Sequence, residues 1–266
     1  MRTGVGILLA ALLTSGLAVS TSVAQTEAEP PSLHAIWDFV VEPSKVEEFE
    51  NVNKKMAELY RKEELSYKWG TVSTDDFHYY SWVPVKDLAD VSAMYQAFNK
   101  AAEKMGPAAK EIDEAMGGTF ESVRVSLWRW NHELSYVPDT PRLEAEEMEF
   151  LRYHFLYGRS DKTEDLIGVF KKYKQLYKSK DIATGYNVWV GELGVDGPVH
   201  CVIFWGRNAA DHFGQSAEIS KALGDEGRAL WKELLSCTRK IEHRSGQLRP
   251  ELGTLSPSAG TTDSNR

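Results

Sequence analysis

The residues best able to do chemistry lie in alternating runs near the ends of two similar segments. From Ser122 to Trp130, Arg124, Ser126, Trp128 and Trp130 share one face of an extended chain, and Val123, Val125 and Leu127 share the other. A face that mixes Arg, Ser and Trp packs poorly on a helix and suits a lined cavity. The corresponding run from Thr238 to Ser245 puts Arg239, Ile241 and His243 on one face. Its other face, Thr238, Lys240 and Glu242, is too polar to pack well on helices, so the facing of this run stays open. Earlier in each segment Trp37 corresponds to His154. His154 shares a face with Arg152, while Tyr153, Phe155 and Tyr157 make the other. If His154, Arg239 and His243 converge, a pocket of Trp and Tyr with one or two Arg and His would take a flat, anionic or phenolic small molecule. A histidine titrating near neutrality would serve there as a general base. The candidate ligand-binding residues are therefore Trp37, Arg124, Trp128, Arg152, His154, Arg239 and His243. The same side chains also suit a filled core paired across two sheets, or the solvent-facing ends of an edge strand. No catalytic residue is assigned.

No metal site is expected. The chain has no His-x-His, His-x-x-x-His or Cys-x-x-Cys spacing. Asp75, Asp76 and His78 crowd one hairpin, where paired Asp reads as turn chemistry. His212 and Glu218 are spaced off a common helix face. There is no Gly-rich phosphate loop and no serine nucleophile elbow.

These runs belong to a unit of about a hundred residues that occurs twice, from Leu33 to Trp130 and from Glu149 to Leu248. Glu48–Tyr60 and Asp165–Tyr177 match best: each carries an acid, a bulky apolar residue, a Val, a Lys-Lys pair and a final Leu-Tyr in one register. The closing runs are aligned as Ser122-Val123-Arg124 with Cys237-Thr238-Arg239. Within the first copy the pattern predicts a strand over Leu33–Val41, then a helix to about Lys62 opened by Ser44 with Glu47 at the capping-box position. Strands over Ser66–Val72 and Phe77–Val83 follow, then a helical region Asp87–Met116 broken at Gly106-Pro107, then the strand Ser122–Trp130. The second copy repeats this order: strand Phe150–Tyr157, helix Lys162–Lys178, strands Tyr186–Glu192 and His200–Trp205, helices Ala209–Leu223 and Asp225–Leu235, strand Thr238–Ser245. This gives a first repeat over 33–131, a linker over 132–148 and a second repeat over 149–249. A Ser-, Thr-, Gly- and Pro-rich tail over 250–266 is expected to be disordered.

A β-α-β-β-α-β order is the ferredoxin-like arrangement, with helices on one sheet face only. A second copy, sheet to sheet, is the obvious cover for the other face. The fold class is therefore α+β, with two tandem ferredoxin-like repeats packed as one body. In that order the third and fourth strands flank the first and lie about 9–10 Å apart. Cys201 and Cys237 are then two buried thiols rather than a disulfide, which needs Cα atoms within about 7 Å. A Cys237 on the loop entering its strand would be the exception.

Export is read from residues 1–24: Arg2, a short apolar run from Val5 to Val19, and Ser22-Val23-Ala24 as a cleavage site, followed by a polar spacer over 25–32. The run is shorter than the ~20 residues of a membrane span. A periplasmic or extracellular location follows, with no stable membrane span after cleavage. The net charge of −8 argues against a nucleic-acid partner.

The two strand-helix pairs, the aromatic third strands (Tyr79-Tyr80-Ser81-Trp82 and Ile203-Phe204-Trp205) and the Arg-containing last strands resemble the dimeric α+β barrel superfamily in tandem form. NIPSNAP-like and antibiotic-biosynthesis-monooxygenase-like members are nearest. The residues themselves require no cofactor. The resemblance implies haem as one alternative, with His154, His200 and His243 available as axial ligands. Three functions compete: a protein binding a small aromatic or anionic ligand between the repeats, a cofactor-independent or haem-linked monooxygenase, and an interaction module with a filled interior. A monomer and a homo-oligomer both fit.

Overall fold

The computed structural model describes residues 33–255. The leader and spacer expected over 1–32, and the tail beyond residue 255, lie outside the described residues. Element order is β1 (Leu33–Val41), α1 (Val46–Lys62), β2 (Gly70–Thr74), β3 (His78–Val85), α2 (Leu88–Met105), α3 (Pro107–Met116) and β4 (Phe120–Trp130) in the first half. The second half has β5 (Phe150–Gly158), α4 (Thr163–Ser179), β6 (Asn187–Leu193), β7 (Val199–Gly206), α5 (Ala209–Cys237) and β8 (Thr238–Leu248). The eight strands form one closed antiparallel barrel in the order β1-β3-β2-β8-β5-β7-β6-β4. Each first strand is flanked by the third and fourth of its own half. The halves join edge to edge at the β2–β8 and β4–β6 seams, so no sheet edge is left open.

The amphipathic helices cover the outside of the barrel. Phe49 and Ala57 of α1 and Leu166, Val169 and Phe170 of α4 are buried on that side. The capping box expected at Ser44 does not form: Pro43–Lys45 is a turn of 3-10 helix and Lys45 occupies the cap. Gly224, at φ 56°, kinks α5 where two helices are expected; this left-handed backbone disfavours a residue with a Cβ. Cys201 and Cys237 are free and buried.

The six residues after Arg249 depart from the expected disorder. Pro250–Leu252 is a 3-10 turn, Leu252 is fully buried, and the Trp69 indole donates to its carbonyl at 3.0 Å. Burying Leu252 offsets the entropy of ordering this short piece. Among the described residues no helix is long and apolar enough to cross a membrane.

Strand registers correct the internal alignment. Val40 pairs with Ser122 and Tyr157 with Lys240, so Ser122 corresponds to Lys240, three residues from the expected Cys237. Three is odd, and side chains alternate along a strand, so this shift exchanges the two faces of β8.

Candidate functional site

The barrel encloses a cavity of about 1020 Å³. Every strand except β2 contributes alternate side chains to it, as strand geometry demands. At the end where β1 and β5 begin, the walls are aromatic: Trp82, Trp128, Trp130, Trp189 and Trp205 line it, with His34. Trp82 fits because Gly70 lies against it; a Cβ there would come within 2.1 Å of the indole. Part of the linker, including Tyr136 and Leu143, forms the floor of this end. Arg142 fixes the linker to α5 through two bonds to Asp211, at 2.7 and 2.9 Å. These bonds, with the charge of Arg142 and Arg207, hold the Asp211 carboxyl down at about 2.

The opposite end is polar and open, since Ser122, Arg124, Asp196 and Lys240 on its rim are exposed. Asp38 on β1 meets His78 on β3, Oδ1 to Nδ1, at 2.6 Å. The other ring nitrogen of His78 lies 3.8 Å from Asp76. Arg244 of β8 crosses the seam between halves. Its Nε donates to Asp76 at 2.8 Å, its Nη1 donates to the Tyr80 hydroxyl, and its guanidinium lies over the Phe155 ring at 5.6 Å. Burial, assisted by the Asp38 charge, pushes the Tyr80 phenol well above its usual range despite Arg244. Burial would raise Asp76 too, but the Thr74 hydroxyl and Arg244 outweigh it and hold the carboxyl low. Beside this cluster, the Tyr157 hydroxyl donates to Glu242 at 2.9 Å and Lys240 pairs with Glu242 at 2.5 Å. Burial and the Glu242 bond push the Tyr157 phenol up to about 12.

A carboxylate on one ring nitrogen fixes the tautomer of an imidazole and leaves the other nitrogen as the acceptor. His78 is therefore equipped to accept a proton from a molecule in the cavity. The aromatic walls give such a molecule stacking surfaces, and Arg244 and Tyr80 give it donors.

The structure separates the seven residues expected to bind ligand. Arg124 and Trp128 line the cavity, with the Trp128 indole donating to Ser126 at 3.0 Å. Trp37 and His154 do correspond, but both point outward. Trp37 packs on Tyr95 of α2, and His154 sits between His243 and Phe204 at 4.5 and 5.5 Å. Arg152 is also outside, donating to Ser245 at 2.8 Å and lying over Phe213. Arg239 reaches the Asp196 carbonyl beyond the strand end. His154, Arg239 and His243 therefore do not converge inside. The inward face of β8 is Lys240, Glu242 and Arg244, the polar face that suited helices poorly.

Asp38, His78, Tyr80, Glu242 and Arg244 escaped the sequence reading. The signal was a polar side chain next to apolar ones on its strand face: Asp38 between Ile36 and Val40, and His78 before Tyr80 and Trp82. Their pairing, 40 positions apart, exists only once β1 and β3 are neighbours.

Haem does not fit the histidines that would hold it. His154, His200 and His243 all lie on the helix side of the sheet; His200 packs on Phe170 at 5.2 Å, and none of the three lines the cavity. Inside, His78 already faces two carboxylates, and His34 lies edge-on to Trp189 at 4.7 Å. Among the described residues, no group of three or more His, Cys, Asp or Glu is placed to hold a metal ion.

No protein-family model matches the chain. No curated protein matches it in sequence. Solved structures do share its fold. An anthrone oxidase-like protein superposes with a TM-score of 0.59 at 12% identity, over 86% of this chain and 97% of that one. A candidate monooxygenase from Lactobacillus acidophilus gives 0.50 at 11% identity, over 82% and 96%. A variant chlorite dismutase from Candidatus Nitrospira defluvii gives 0.51 at 8% identity, over 84% and 93%. At these identities the likeness establishes the dimeric α+β barrel fold.

Proposed function

We propose that the protein binds a flat aromatic small molecule inside the barrel. The observation that carries this reading is one continuous cavity with tryptophan walls at its closed end and hydrogen-bonding groups at its open end. Stacking on such walls contributes about 0.5–1.5 kcal/mol per aromatic pair beyond area burial. 1-Hydroxyanthraquinone is a suitable probe. It should quench tryptophan fluorescence saturably in the wild type, and Ile36→Trp, which fills the cavity from β1, should abolish the quenching while the melting temperature holds. Equal quenching in both proteins would place the probe elsewhere and sink the reading.

The Asp38–His78 pair favours a second reading, in which the barrel is a cofactor-independent oxidising enzyme of the antibiotic-biosynthesis-monooxygenase type. His78 takes a proton from an activated aromatic C–H or phenol, and Asp38 holds the resulting imidazolium. The electron-rich carbanion or phenolate then passes electrons to dioxygen. The fold shared with an anthrone oxidase-like protein makes anthrone the first substrate to try. Anthrone-dependent oxygen uptake should fall about a hundredfold in His78→Ala, the usual weight of a general base. Unchanged uptake in that variant would leave binding as the function.

Export belongs to the same reading and rests on the layout of residues 1–24; a mature chain beginning at Gln25 is its test. So does the duplication of one ferredoxin-like unit, which the matched element order and corresponding registers support.

A further inference from the structure

The charged groups at the open end are not equally engaged. His78 is held by Asp38, Arg244 by Asp76 and Tyr80, and Lys240 by Glu242. Arg124 is different. It lines the cavity from β4 between Ser122 and Ser126, yet among the described residues it makes no ion pair or hydrogen bond. Its position in the other half is taken by Glu242, which Lys240 and Tyr157 already satisfy. Asp38 is its register partner on β1, but that carboxylate bonds His78 instead. Arg124 thus presents a planar fork of donors, all uncommitted, on the inward face of the rim.

We propose that Arg124 is the specificity-determining residue for an aromatic carboxylic acid, taking its carboxylate at the mouth while the ring system lies against the tryptophan walls. The proposal rests on the aromatic-ligand reading above and adds the charge and orientation of the ligand. A carboxylate matches the guanidinium fork in two parallel hydrogen bonds, which a neutral substituent cannot do. A ligand held this way has its body beside the Asp38–His78 pair, the groups equipped to move a proton on it. Because Arg124 is exposed, replacing it leaves the packed barrel intact and exposes no buried partner.

The test compares anthraquinone-2-carboxylate with neutral 2-hydroxymethylanthraquinone by tryptophan quenching in full-length wild type, Arg124→Gln and Arg124→Lys. The carboxylate should bind the wild type at least tenfold more tightly than the neutral analogue. Arg124→Gln should remove that preference, leave the neutral analogue unchanged, and lose the salt dependence of carboxylate binding. Arg124→Lys should keep the charge attraction and lose part of the affinity. Equal wild-type affinities, or a parallel loss for both analogues in Arg124→Gln, would overturn the role of Arg124 while leaving an aromatic site standing. Failure of both analogues to bind the wild type would remove the aromatic site and this proposal with it.

Discussion

The two halves put the same strands to different uses. Asp38 and Phe155 occupy corresponding inward positions, as do His78 and Val199, and Tyr80 and Cys201. The first half therefore supplies the carboxylate, imidazole and phenol of the site, and the second supplies apolar wall. The contribution of β8 reverses this, because Arg244 reaches across the seam to Asp76 and Tyr80. Outward positions differ too. Trp37 and Tyr79 of the first half correspond to His154 and His200 of the second. The two halves share strand order and register, and differences at a few strand positions make the lumen polarised.

The comparison can be broken first in the cores. Phe49, fully buried among Phe39 and Tyr79, corresponds to Leu166 beneath α4. Phe49→Ala should destabilise by about 3–5 kcal/mol and Leu166→Ala by about 2–5 kcal/mol, read from denaturant midpoints. A much smaller loss for one would show that its half relaxes into the cavity.

Acid should act mainly through the second half. Burial lowers His200 from 6.5 to about 4. Burial, with His243 and Arg152 nearby, lowers His154 from 6.5 to about 3. The folded protein thus holds both rings neutral, so this stability is complete above the unfolded value near 6.5 and declines as pH falls from there toward the folded values. His200→Phe should flatten the decline between pH 6.5 and 4 by about 1–3 kcal/mol. An identical acid limb in the variant would remove His200 from the account.

An effect of similar size tests the seam. Arg244→Met keeps length and removes the charge, leaving Asp76 and Tyr80 without their partner; it should cost about 1–3 kcal/mol. Asp76→Asn in the Arg244→Met background should cost less than in the wild type, and full additivity would show that the two residues do not interact. The smallest effect should come from Lys110→Ala on α3. Its pair with Glu114 is well exposed, and the change should stay within about 0.5 kcal/mol.

The sequence alone determined the local order. The alternation in Leu33–Val41, the shared stripe of the two matching helices and the break at Gly106-Pro107 all depend on neighbours a few residues apart, and β1, α1, α2 and α3 appear where those signals put them. It also showed which residues share a strand face: Arg124 with Trp128, and Tyr153 with Phe155. What it could not decide was which face turned inward, because both faces of a barrel strand are covered, one by helices and one by the opposite wall. His154 and Arg152 look like site residues by type, but β5 turns Tyr153 and Phe155 into the cavity. On β8 the register aligns Lys240, not Cys237, with Ser122, and this three-residue difference turns Glu242 and Arg244 inward. The Asp38–His78 pair, the Arg244 bridge and the uncommitted Arg124 come into being only when strands distant in sequence close the barrel, since hydrogen-bond partners are set by strand order and register rather than by spacing along the chain.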